Sequence, residues 1–318
     1  MAEAVELFPV QVPGSDAYGY MDKSGNLVIE AGFEEAQPFS EGLAPVMLAR
    51  NWGFIDKTGE FVVKPQFAEV WPFSEGLALV MLKDSSVGYI DNTGEFVIEP
   101  RAYYAEPFSD GMAVVAQNEK KGYLDTSGEL VIEPRFDQAQ DFSEGLAGAA
   151  ETGADGQVKW GYIDKTGAWA IQPQFDSVLA FSEGLAAVNL GGTWGYVDKT
   201  GAWAIQPGFE YADSFSEGLA AAKGEGGYGY IDATGAFVIE PQFYWAYRFS
   251  EGFAAVSRLD GGAEIRGYVD KMGRVVIEPQ YDSAADFRDG LAFVAGPAGA
   301  GFSWAYIDPT GAVIWKGE

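Results

Sequence analysis

Apolar and polar positions alternate along this chain in short runs of β-branched and aromatic residues, and no stretch of useful length carries a helical period. The run from Trp160 to Phe181 shows the scheme. Tyr162-Ile163-Asp164 leads through Lys165-Thr166-Gly167 into Trp169-Ala170-Ile171. This predicts a β-hairpin in which Asp164 opens a tight turn and Gly167 supplies a positive φ. The same hairpin starts again at Tyr18, Trp52, Val87, Lys121, Trp194, Tyr228, Arg266 and Trp304. Its turn aspartates are Asp22, Asp56, Asp91, Asp125, Asp164, Asp198, Asp232, Asp270 and Asp308, spaced by 34 to 39 residues. A period in that range is the signature of a repeat architecture.

Between hairpins runs a second motif, Phe-Ser-Glu-Gly-Leu-Ala, as at Phe39 to Ala44 and Phe181 to Ala186. Proline at Pro65, Pro100, Pro134, Pro173, Pro207, Pro241 and Pro279 lacks a ladder donor and is expected to end the second hairpin strand. After the Ser-Glu-Gly turn comes a strand of small residues, such as Leu185-Ala186-Ala187-Val188. The unit is therefore a three-stranded antiparallel meander, repeated nine times in one all-β domain over residues 1–318. The extra residues of the longer units, Glu151 to Lys159 and Arg258 to Glu264, read as exposed loops. Strands apolar on both faces need cover on both sides, which the neighbouring copies supply. Two arrangements do so, a closed nine-bladed β-propeller-like ring or an open superhelical stack. The contrast between small-residue and aromatic strands makes each unit a wedge and favours the ring.

Composition narrows the chemistry. With no cysteine and no histidine, the chain lacks disulfides, thiolate chemistry, the commonest general base and the commonest transition-metal ligand. No residue pattern requires a cofactor. A formal charge of −27 repels nucleic acid and anionic membrane surfaces and keeps copies apart, so a monomer is expected. Met1 to Ala4 begins no secretory signal and no run is long enough to span a bilayer, which points to the cytoplasm.

The repeated Trp-Gly dipeptide at Trp52-Gly53, Trp160-Gly161 and Trp194-Gly195, the Tyr-Ile-Asp-Lys-Thr-Gly turn and the Phe-Ser-Glu-Gly-Leu-Ala joint resemble the WG-repeat family of bacterial repeat proteins. The resemblance covers essentially the whole chain. It implies a non-enzymatic interaction scaffold and brings no catalytic residues with it.

Three groups of side chains invite a functional reading. The turn aspartates superficially suggest a calcium loop, but Lys at the second place and Gly at the fourth do not supply the alternate oxygen ligands; bonding of turn amides is the simpler role. The acids of the joints, Glu41, Glu75, Asp110, Glu144, Glu183, Glu217, Glu251 and Asp289, form either a ring that holds a metal ion or cationic ligand, or a set of local caps on turn amides. The periodic Trp52, Trp160, Trp169, Trp194 and Trp203 either pack the core or stack on sugars and peptides. Aromatic residues that break the pattern in the joints, Trp71, Tyr103, Tyr104, Tyr211, Tyr244, Trp245 and Tyr247, are the candidates for partner recognition. The expected function is binding of a protein or peptide, with a carbohydrate- or cation-binding module as the alternative. Paired carboxylates suffice in principle for glycoside hydrolysis, yet no pair stands out from the other acids.

Overall fold

The computed structural model describes residues 6–101, 104–296 and 302–317. Among them every regular element is a strand. The strands form nine small antiparallel sheets, the first three-stranded and the other eight four-stranded, each a blade of the β-propeller type. No helix among the described residues is long and apolar enough to cross a membrane. The chain divides into two compact units, Met1–Ala150 with Asp164–Ala168, and Glu151–Ile163 with Trp169–Glu318.

One blade of the first unit shows how the sequence builds them all. Strands Glu35–Ala36, Leu43–Leu48, Asn51–Asp56 and Phe61–Phe67 lie side by side in that order. The last three are the expected meander; the first is an addition. Glu35 pairs with Met47 and Ala36 with Val46, so the small-residue strand is not an edge. Two residues have no strand pattern of their own, and their pairing is imposed by the turn that follows. Glu41 (φ 52°) and Gly42 (φ 86°) make a two-residue hairpin closed by reciprocal Ser40 and Leu43 backbone bonds of 2.9 and 3.0 Å.

The Asp turn is as expected. The Asp164 carboxylate accepts from the Thr166 amide at 2.9 Å, the Thr166 hydroxyl at 2.6 Å and the Ala168 amide at 3.1 Å, while Gly167 sits at φ 83°. The Thr166 hydroxyl bond, with the amides, holds this carboxyl below its ordinary value.

Proline does not end the strand as expected. Strand Phe61–Phe67 runs straight through Pro65, because the pairing jumps there from Trp52 opposite Phe67 to Phe54 opposite Val63. At this bulge no ladder donor is needed, so the missing N–H of Pro65 costs nothing. The same bulge explains the glycine after Trp52. A Cβ on Gly53 would lie 2.5 Å from the Val63 carbonyl oxygen and 2.7 Å from the Pro65 nitrogen. The proline strand is also less covered than expected, with Val62, Lys64 and Gln66 facing water and Val63 and Phe67 buried. Nor is the Arg258 to Glu264 insertion a loop. It lengthens a hairpin in which Leu259 faces Glu264 and Asp260 faces Ala263.

Within each unit the core lies between successive blades. Phe54, Val63 and Phe67 of one blade pack with Val70, Phe73 and Val80 of the next. A tyrosine in the Trp-Gly strand crosses this layer in nearly every repeat. The hydroxyl of Tyr20 donates to the Gln37 carbonyl at 2.8 Å, Tyr89 to Glu106 at 2.6 Å, and Tyr123, Tyr196, Tyr230 and Tyr268 to Gln140, Asp213, Tyr247 and Ala285 at 2.7 Å. All six acceptors lie 17 residues on, in the following blade, and all six rings are fully buried. A second bond follows the same direction, from Ser40 to the Phe73 carbonyl at 2.7 Å and from Ser74 to Phe108 at 2.8 Å.

The second repeat breaks the tyrosine rule. Phe54 stands in the tyrosine's place and meets Phe73 at a steep ring angle with centroids 4.9 Å apart, as Tyr196 meets Phe215 at 4.9 Å. Phe54→Tyr therefore puts a hydroxyl beside the Trp71 carbonyl without rearrangement. It should raise stability in urea denaturation by about 1 kcal/mol; an unchanged or lowered midpoint would contradict the geometry.

Candidate recognition site

In the four-stranded blades the short outer strand, the small-residue strand and the Trp-Gly strand line up three residues in a row. Tyr211, Lys223 and Tyr228 form one such row, and Trp245, Ser257 and Arg266 form the next. Two sequence-predicted aromatic positions, Tyr211 and Trp245, are thereby carried beside the residue that precedes the repeated glycine. This join is made through strand register, across a strand that contributes no aromatic residue.

In the second unit the result is a continuous aromatic strip. Tyr211 lies 6.1 Å from Trp194, 5.7 Å from Tyr228 and 5.4 Å from Trp245, measured between ring centroids. Tyr228 and Trp245 are 4.5 Å apart, and Tyr247 continues the strip at 6.4 Å from Trp245. Tyr228 is buried beneath the others, which are half-buried and keep an edge in water. The Arg266 guanidinium lies 5.2 Å from the Tyr247 ring centre. Burial pushes the hydroxyls of Tyr211, Tyr228 and Tyr247 up from their ordinary value, so they stay protonated donors.

The remaining candidates are scattered. Tyr244 is half exposed and shows no ring contact among the described residues. Trp71 is half-buried and lines a 420 Å³ groove with Trp52 in the first unit. Tyr104 is half exposed, with the Lys121 ammonium 4.0 Å from its ring centre and its hydroxyl donating to Glu106 at 2.6 Å; that bond pushes it up to about 12. Tyr103 lies outside the described residues. Of the periodic tryptophans, Trp52 is buried, while Trp160, Trp169, Trp194 and Trp203 are half-buried.

The sequence reading missed Tyr228, Arg266 and Lys121 as members of these rows, although all three stand where other repeats have Trp before the glycine. It also singled out no carboxyl pair. Asp141 is pushed up to about 6, by lost solvation first and then by the charge of Glu106 and a hydrogen bond with it. Those two groups touch, whereas glycoside hydrolysis uses carboxyls roughly 5–10 Å apart.

The joint acids bond along the chain. Glu41 accepts from the amides of Glu75 and Gly76 at 2.8 and 2.9 Å, Glu75 from Gly111 at 2.7 Å, Glu183 from Gly218 at 2.9 Å and Glu251 from Gly290 at 2.8 Å. Asp110 accepts from Gly145 and from the Lys165 ammonium. Burial opposes ionisation of Glu217, yet bonds from Lys271 and the Gly252 amide hold it below its ordinary value. Asp289 lies 3.8 Å from Arg288. The carboxylates that accept from amides of the next turn thus help to offset the left-handed backbone of these turns, which costs roughly 1–2 kcal/mol at a non-glycine residue. Glu144 holds the same place in its turn, at φ 53°. Among the described residues no three acids converge as a metal site would require. Calcium or magnesium should therefore raise the melting temperature no more than monovalent salt of equal ionic strength. A divalent-specific rise abolished by changing Glu183, Glu217 and Glu251 together to Gln would contradict that assignment.

A family model described as WG containing repeat matches residues 18–49, 52–84, 88–120, 122–152, 160–194, 194–227, 228–261 and 267–295. No curated protein matches the chain. Among solved structures, it is similar to BamB from Moraxella catarrhalis, with a TM-score of 0.41 and 12% identity over 91% of this chain and 97% of that one. It is also similar to Hsv2p from Kluyveromyces lactis, with a TM-score of 0.44 and 8% identity over 86% and 96%.

Proposed function

The chain belongs to the WG containing repeat family, and from that premise we propose that it is a non-enzymatic recognition module for a protein or peptide, read through the aromatic strip of the second unit. One contrast supports this reading above all. The bonds that hold repeat to repeat use the same residue types in nearly every repeat, whereas the rows beside them change from repeat to repeat and, among the described residues, become consecutively aromatic from Trp194 to Tyr247. Rings with a packed base and a wet edge supply large contact area at low entropic cost, which is how interface anchors work.

The test is affinity capture of partners by the intact chain, followed by the double variant Tyr211→Ala with Trp245→Ala. The variant should weaken the captured partner's affinity by about thirtyfold or more, the scale of a hot-spot pair. Its melting temperature should be checked alongside, since both rings are half-buried. Partner affinity unchanged by the double variant would contradict the reading. Loss of binding to immobilised glycans, with no protein captured at all, would instead support the carbohydrate-binding alternative, which uses the same rings.

A further inference from the structure

The groove between two blades of the first unit combines aromatic faces with uncompensated charge. Its volume is 420 Å³, and its walls include Trp52, Trp71, Glu35 and Glu69. Glu35, Met47 and Trp52 are one cross-strand row; Glu69 and Trp71 belong to the next blade. Both glutamates are exposed, and among the described residues no lysine or arginine pairs with either.

Elsewhere the chain fills the corresponding positions with a cation of its own. In the row Tyr104, Ala116 and Lys121, the Lys121 ammonium sits 4.0 Å from the Tyr104 ring centre and 3.9 Å from Glu106. In the row Trp245, Ser257 and Arg266, the Arg266 guanidinium lies 5.2 Å from the Tyr247 ring centre and 3.2 Å from Glu264. Ring, carboxylate and cation form a set in both places. At the Trp52 groove the rings and carboxylates are present, and the cation must come from outside.

We infer that this groove is a docking site for an arginine or lysine side chain of a basic peptide segment in a partner protein. The inference rests on the reading of the chain as a recognition module and names the chemistry of one of its ligands. A guanidinium can lie flat on an indole while its edge meets a carboxylate in two hydrogen bonds, so arginine is preferred to lysine. The net charge of −27 draws such a segment in from a distance.

The measurement is titration calorimetry of the full chain with capped tetra-arginine, tetra-lysine and the neutral tetra-citrulline peptide at physiological ionic strength. Tetra-arginine should bind most tightly and tetra-citrulline not detectably. Trp71→Ala, and separately Glu35→Gln with Glu69→Gln, should each weaken tetra-arginine by about tenfold, with Trp71→Phe close to the parent. The equally charged control Glu240→Gln with Glu278→Gln, on exposed strand positions of the other unit, should change affinity less than about twofold.

Three results would overturn the inference: no tetra-arginine binding, equal weakening by the two glutamine pairs, or indifference to Trp71→Ala. A partner captured through the Tyr211 and Trp245 strip whose affinity ignores Trp71 and Glu69 would remove the groove while leaving the recognition reading in place.

Discussion

The structure depends on the inter-blade tyrosine and serine hydroxyls of one repeat being satisfied by backbone carbonyls of the repeat that follows it. A tyrosine hydroxyl placed between two blades without a partner would cost roughly 1–3 kcal/mol. Tyr196 avoids that cost only because the Asp213 carbonyl of the next blade is aimed at it. Ser216 does the same with Phe249, and Glu217 with the amide of Gly252. These bonds run in one direction along the chain, and the apolar layer between blades is packed around them. The turn glycine adds to the coupling, since Gly201 sits against Ile171 of the preceding repeat. No blade is finished by its own residues, which is the general condition of repeat folds.

That condition separates what was legible in the sequence from what was not. The Asp164 to Gly167 turn is a local bargain between a carboxylate, a hydroxyl and a positive φ, and its residues announce it. The nine-fold repeat is equally plain. Glu35–Ala36 as a strand was not, because two residues carry no periodicity and their pairing is enforced by the Glu41-Gly42 turn beyond them. Pro65 was misread as a terminator because the bulge that tolerates it exists only once Gly53 lies opposite. Glu41 could be suspected of capping an amide, but the amides it accepts from are 34 and 35 residues away.

The candidate site divides along the same line. Trp71, Tyr211, Trp245 and Tyr247 stand out in sequence because they break the pattern of the joints. Tyr228, Arg266 and Lys121 do not, because their place beside those residues is set by register across the small-residue strand. Framework residues and the residues proposed for recognition thus occupy different positions of the same repeat. The framework tolerates little change, as Gly53 shows, whereas the rows beside it accept tryptophan, lysine, arginine or valine at one and the same place. Under the proposed function, such a division would let one scaffold carry different binding chemistry on different blades.

The coupling between successive repeats is tested most directly by hydrogen exchange of the intact chain carrying Tyr196→Phe, read by mass spectrometry across the second unit. If the hydroxyl bond to Asp213 ties two blades together, exchange should accelerate both in Thr193–Asp198 and in Ala220–Gly224 of the following blade. Acceleration confined to the strand that carries the substitution, with Ala220–Gly224 unchanged, would contradict the account.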